Sequence, residues 1–214
     1  MTPGLRLPAM IIAFWVGFSA AAAAGPVTLP EFGRSFEFTC GGKGWSENHL
    51  ALIATLKSID GDIARIELSE DGRPFTWLVP TANWVLAFFT KESKGKRTVE
   101  RFIDWGSLSF AELAVGEKVS AWVRQSDSRY GRSRWKWSAK IIDKTTARTP
   151  EIGALEVFVI EEDKFSAEWD QSNKTIIHYS PTIGFITYWK EVHSNGQELE
   201  CRMTTPAVTF TGKK

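Results

Sequence analysis

Residues 119–124 read Val119-Ser-Ala-Trp-Val-Arg124, and residues 134–142 read Arg134-Trp-Lys-Trp-Ser-Ala-Lys-Ile-Ile142. Side chains on a strand alternate between its two faces, so each run divides in two. Val119, Ala121 and Val123 share one face, which leaves Ser120, Trp122 and Arg124 on the other. Trp135, Trp137, Ala139 and Ile141 share a face, with Arg134, Lys136, Ser138 and Lys140 opposite. Burying Trp135 and Trp137 with the valines gives two paired strands whose outer face carries Trp122, Arg124, Arg134 and Lys136. The polar stretch from Ser126 to Arg132 becomes the loop between them.

The same signal recurs outward from this pair, about every ten residues. Leu50 to Ile59 is apolar and ends at Asp60-Gly61-Asp62, and Ile63 to Leu68 alternates and ends at Glu70-Asp71-Gly72. Asp-Gly between two such runs is a tight-turn signal. Phe75 to Val79 follows and stops at Pro80. Trp84 to Thr90 and Thr98 to Trp105 flank the polar run Glu92-Ser93-Lys94-Gly95-Lys96, which suggests a long hairpin. One short helix is expected after Ser109, where Ser109 and Glu112 have capping-box spacing and Gly116 can end it.

Lys144 to Pro150 is polar and reads as a linker. Beyond it, strand runs lie at Ala154 to Ile160, Phe165 to Trp169, Thr175 to Tyr179, Gly184 to Val192 and Gln197 to Met203. Asn195-Gly196 joins the last two as a hairpin turn. The fold class expected is all-β with minor α. From Trp45 to Asp143 the order of short strands, with one helix before the last pair, resembles an OB-like or other small β-barrel, and a β-sandwich would give a similar string. The remainder is expected to form a C-terminal antiparallel β-meander. The tail from Tyr179 to Gly184, with Tyr188-Trp189-Lys190-Glu191 and the Asn-Gly turn, resembles a meander found in exported bacterial proteins. That likeness implies export and β structure, with no activity attached.

The N-terminus carries the parts of a cleavable export signal. Arg6 precedes an apolar run from Leu7 to Phe18, and Ala20 to Ala24 supplies small residues before Gly25. Residues 1–24 are therefore read as a signal peptide and the mature chain as periplasmic or secreted. No cysteine stands at the expected cut, which argues against a lipid-anchored form. The two cysteines, Cys40 and Cys201, lie in strand-like runs, and an even count in an exported chain favours a disulfide. Such a bond would set residues 30–44 beside 151–210 as a terminal sheet, with 45–143 as a small barrel-like domain. The chain has 26 Lys and Arg against 25 Asp and Glu. Removing Arg6 leaves the mature chain neutral, which is not the global signature of a nucleic-acid binder.

Catalytic constellations are thin. His49, His178 and His193 have no metal-ligand spacing, and the two Ser-x-x-Lys spacings, Ser93/Lys96 and Ser133/Lys136, read as chance. Cys40-Gly-Gly-Lys-Gly44 lacks the spacing and hydroxyl of a phosphate loop. The acidic runs Asp60/Asp62, Glu70/Asp71 and Glu161 to Asp163 read as solvated turns, although a glycosidase pair is defined by separation in space. No catalytic residue, metal ligand or cofactor is expected. One segment stands out: Arg124, Arg129, Arg132, Arg134, Lys136 and Lys140 interleave with Trp122, Tyr130, Trp135 and Trp137. Cations meet charge and rings stack on bases or sugars. The ligand-binding candidates are Trp122, Arg124, Tyr130, Arg132, Arg134 and Lys136, weighed against an ordinary solvated sheet face. The expected function is an exported non-enzymatic binding or envelope-accessory module whose partner is an anionic polymer, a glycan or an envelope protein. The rival readings are a carboxylate-based secreted hydrolase and an OB-like oligonucleotide binder.

Overall fold

A computed structural model describes residues 29–44, 50–166, 168–206 and 209–210 of the chain. The expected signal peptide and His49 lie outside the described residues. The first strands are β1 (Ser35–Gly41), β2 (Leu50–Asp60), β3 (Ile63–Glu70), β4 (Arg73–Pro80), β5 (Lys91–Lys94), β6 (Arg97–Ser107) and β7 (Lys118–Asp127). They are followed by β8 (Gly131–Thr149), β9 (Gly153–Ser166), β10 (Gln171–Ser180), β11 (Phe185–His193), β12 (Glu198–Thr205) and β13 (Thr209–Phe210). Each strand from β1 to β12 pairs antiparallel with the next, and β12 returns to pair with β1. The result is a closed twelve-stranded up-and-down barrel, with β13 added outside on β8. Closure leaves no unpaired edge in the ring.

The turns follow local sequence chemistry. Glu70 pairs with Arg73 across Asp71-Gly72, both at positive φ (48° and 77°), as a two-residue hairpin turn requires. β11 and β12 are joined through the Asn195-Gly196 turn. Cys40 and Cys201 are direct partners on β1 and β12 and form a disulfide. Every other neighbouring pair in the ring is a hairpin or a short connection between consecutive strands, so the bond fastens the seam where the meander closes. Residues 45–143 supply β2 to β7 and most of β8 to the same sheet that the terminal segments complete.

A twelve-stranded ring encloses more space than the eight strands whose interior side chains just fill. Large rings fill this one. Trp84, Trp135, Trp137, Phe36, Phe38 and Phe88 are buried inside, with Trp77, Trp169 and Trp189 packed beside them. One end is stoppered by the 3₁₀ turn Thr81–Leu86 and its continuation, where Trp84, Val85, Leu86, Phe88 and Phe89 are all buried. The Trp84 indole donates to the Gly184 carbonyl at 2.7 Å, tying this stopper to the start of β11.

Four local expectations change here. Trp84 to Thr90 is not a strand, because consecutive apolar residues that are all buried suit a plug, which has no exposed face. The polar run after it is not simply a loop, since Lys91 to Lys94 is β5 and only Gly95 and Lys96 turn. Residues 109–116 form an irregular segment with a bend at 111–112 and a turn at 115–116, and no helix. Leu108, Phe110 and Leu113 are buried at spacings that do not share one helical face, and Gly116 and Glu117 are held by backbone bonds to Ile141. Lys144 to Thr149 is no linker. It continues β8, pairs with β9 out to Thr149 opposite Gly153, and buries Ala147 and Thr149.

Charged residues lie across the outside of the ring. Outward ion pairs include Lys57–Glu67, Lys91–Glu100, Lys144–Glu156, Lys174–Glu161 and Lys190–Glu198. A membrane-spanning barrel presents an apolar outer band instead. This exterior faces water, and the apolar side is within. Among the described residues no helix is long and apolar enough to cross a membrane.

Candidate functional site

The face assignment read from alternation matches the burial pattern of β7 and β8. Ala121, Val123, Trp135, Trp137, Ala139 and Ile141 are buried, whereas Arg124, Arg134, Lys136 and Lys140 are exposed and Trp122 is half-buried. Trp122 lies opposite Lys136, and Arg124 opposite Arg134. The Arg134 guanidinium sits 4.9 Å from the Trp122 ring centre. Lys136 has Phe165 of β9 as its other neighbour, 47% exposed.

β6 completes this surface in a way that alternation hides. A bulge between Ile103 and Trp105 places Trp105 opposite Trp122, so both indoles share the outer face. Trp105 is 70% exposed and Phe102 is 53% exposed. Gly106 makes the bulge feasible. Its φ is +87°, and a Cβ there would run into the Ser120 carbonyl oxygen. Asp104, turned outward in the same bulge, bonds Arg124 Nε at 2.5 Å and reaches Arg134 Nε at 3.6 Å. One carboxylate thus holds two guanidinium groups apart and in place beside the indoles. The backbone N–H of Arg134 donates to Glu168, which also accepts from the Ser166 hydroxyl, and these bonds lower the Glu168 pKa.

Trp122, Arg124, Arg134 and Lys136 therefore come together, and Trp105, Phe102 and Asp104 join them. Arg132 lies further along, in a shallow groove of about 470 Å³ with Phe102, Arg124, Arg134, Glu100 and Glu168. Tyr130 stands apart in the β7–β8 turn, beyond Asp127, which ends β7 five residues and so roughly 17 Å along the strand from Trp122. There it packs against Arg97 and Arg129. That turn is organised by Asp127, which takes a two-pronged bond from Arg97 and the backbone N–H of Arg129. Burial alone would raise the Asp127 pKa, but those bonds outweigh it and hold the carboxyl below its ordinary value.

The other candidates separate. Ser133 faces inward and accepts the Trp135 indole N–H, while Lys136 points out, so this serine and lysine form no dyad. His178 is pushed down to about 4 by burial and by Arg202, which leaves it neutral near pH 7. His193 sits 3.6 Å from Glu191. Glu161 to Asp163 is not a turn. It lies in β9, and Glu162 is 1% exposed inside the ring. Alternation from Ile160 could have found it, since Glu162 and Lys164 share Ile160's face.

Fold and surface together define a water-facing, disulfide-fastened up-and-down barrel with an aromatic and basic patch on β6 to β8. No family model matches the chain, and no curated protein matches it. Among solved structures, the chain is similar to YmcC, a hypothetical lipoprotein of Escherichia coli, at 10% identity and a TM-score of 0.50, covering 84% of this chain and 91% of that one. A chain of Parabacteroides distasonis provisionally named a lipoprotein aligns over 85% of this chain and 97% of its own, at 9% identity and a TM-score of 0.44.

Proposed function

We propose that this protein is an exported, non-enzymatic module of the cell envelope that binds an acidic glycan on the outer face of β6 to β8. The observation that carries the reading is the exposed Trp105 set across from Trp122, with Arg134 stacked on the latter. The exposed Trp105 indole, with the half-buried Trp122 in register beside it, offers a flat apolar platform, and a sugar ring presents an apolar face of matching size. Arg124 and Arg134 pair with Asp104, and Arg132 and Lys136 stand beside them against Glu100 and Glu168, so the patch keeps a small positive balance that suits uronate or phosphate groups. Pairing with Asp104 tempers that charge, which is why stacking and not charge alone is assigned the main part. The export signal read from residues 1–24 supports an envelope position, and the description of YmcC as a lipoprotein agrees with it.

The test is calorimetric titration with oligogalacturonate, with neutral malto-oligosaccharide as the control. Stacking on one aromatic ring is worth about 1–3 kcal/mol, so Trp105→Ala should weaken oligogalacturonate binding roughly tenfold or more. Absence of saturable binding, or binding indifferent to Trp105→Ala and Trp122→Ala, overturns the reading. Turnover of the oligosaccharide would favour a hydrolase.

A further inference from the structure

The interior of the barrel carries charge where packing alone calls for leucine or valine. Ala139, Glu162, Thr175 and Glu191 are successive partners across β8 to β11, and Trp137, Lys164, Asn173 and His193 form the row beside them. Glu162 Oε2 meets Lys164 Nζ at 2.9 Å. Its other oxygen, Oε1, is buried and faces the Trp137 indole nitrogen without completing a bond of good geometry, and the Thr175 hydroxyl is buried with no hydrogen-bond partner. Burial raises the Glu162 pKa, against the opposing pull of Lys164. Leaving buried polar groups unmade costs stability, so an unpaired acceptor and hydroxyl on one wall call for an explanation.

That wall bounds a cavity. About 150 Å³ of space lies among Phe38, Ala54, Ile66, Trp77, Ile177 and Trp189, with Glu162, Thr175, Lys164 and Glu191 on one side. A second space of about 210 Å³, polar and lined by Arg101, Gln125, Asn173 and His193, shares Lys164 and Glu191 with the first. It lies toward the end of the barrel away from the stopper, near the β7–β8 and β9–β10 turns. The lumen is thus apolar at depth and polar toward its mouth. An apolar cavity of about 150 Å³ has room for a benzene-sized group.

We propose that the lumen is a second ligand site, which takes a small amphipathic molecule with a benzene-sized apolar body in the chamber and a hydrogen-bond-donating head, hydroxyl or primary amine, against Glu162 and Thr175. The cations nearby are already engaged. Lys164 is paired with Glu162, and Arg101 lines only the second space, where it donates to Gln125 and lies 3.8 Å from the Phe89 ring centre. An anionic head in the first chamber would meet Glu162 and Glu191 with Lys164 already paired. A donor head fills the open lone pairs of Glu162 and the Thr175 oxygen.

Thermal shift and calorimetry with benzyl alcohol, benzylamine and benzoate test this, since the three share one ring and differ in the head. Benzyl alcohol and benzylamine should bind at least tenfold more tightly than benzoate. Thr175→Val, close to isosteric, should weaken the first two about fivefold, and Glu162→Gln should remove most of the preference for benzylamine over benzoate. Ala54→Leu, which fills the chamber, should abolish binding of all three. Trp105→Ala should leave these affinities unchanged, because the site is independent of the outer face. Benzoate binding as tightly as benzylamine, or binding that survives Ala54→Leu, overturns the proposal, as does failure of all three to bind at millimolar concentration. None of these results touches the glycan reading.

Discussion

Removing the Cys40–Cys201 bond tests how the barrel closes. Among the described residues, β1 and β12 are the only neighbours in the ring that are far apart in sequence, and the cysteines are separated by 161 residues. Closing a loop of that length restricts the unfolded chain by about 5 kcal/mol in the entropy model, and measured values for disulfides centre on roughly 2–4 kcal/mol. Both residues are buried, so the comparison should use Cys40→Ala, Cys201→Ala, with the oxidised wild type as reference. A loss of about 3–5 kcal/mol, at roughly 2–4 °C per kcal/mol for a domain of this size, lowers Tm by about 6–20 °C. Differential scanning calorimetry reads this directly. β1 keeps its pairing with β2 on its other side, so the variant should still fold and give a single transition. The bond lies across the ring from β7, and affinity at the outer patch should not move. A double mutant that melts within a degree or two of wild type would refute the seam argument.

Three further outcomes are expected. Trp122→Ala and Arg134→Ala should change stability by less than about 1 kcal/mol, whereas Trp137→Ala should cost roughly 3–5 kcal/mol as a buried large-to-small change; equal losses in urea melts would contradict the face assignment. Gly106→Ala should disturb the bulge and weaken outer-face binding even where the variant stays folded, read as loss of oligogalacturonate affinity with circular dichroism retained. Asp127 has a folded pKa below its ordinary value of 3.8, so its contribution is present above that pH and is lost as pH falls through the lower folded value. Asp127→Asn should therefore cost on the order of 1–2 kcal/mol at neutral pH and flatten the acid limb of the stability curve, and an unchanged limb would count against the Arg97 pairing.

Strand-period residues were the legible part of this protein. Val119 to Arg124 and Arg134 to Ile142 alternate without interruption, so their buried and exposed sets follow from period two alone. The Asp71-Gly72 and Asn195-Gly196 turns were readable because each depends on local chemistry, and the cysteine pair because two cysteines in an exported chain leave one intrachain pairing. What escaped was non-local or irregular. Trp105 faces outward only because a bulge shifts its register, and a shift of one residue moves a side chain to the other face. The stopper at Trp84 to Phe89 has strand-like composition and becomes a plug because the ring is wide. Strand count was the deciding quantity, and no local pattern states whether a meander closes on itself after five strands or twelve. Glu162 was hidden by its acidic neighbours: a run of Glu161, Glu162 and Asp163 reads as a solvated turn unless the strand is carried through it.

The outer-face reading rests on where the tryptophans meet ligand, and indole N–H signals in a ¹H–¹⁵N spectrum report that directly. Titration with oligogalacturonate should shift the Trp105 and Trp122 indole resonances together and saturably, while those of buried Trp84, Trp135 and Trp137 stay in place. Shifts confined to the buried indoles, with Trp105 and Trp122 unmoved, would contradict the account.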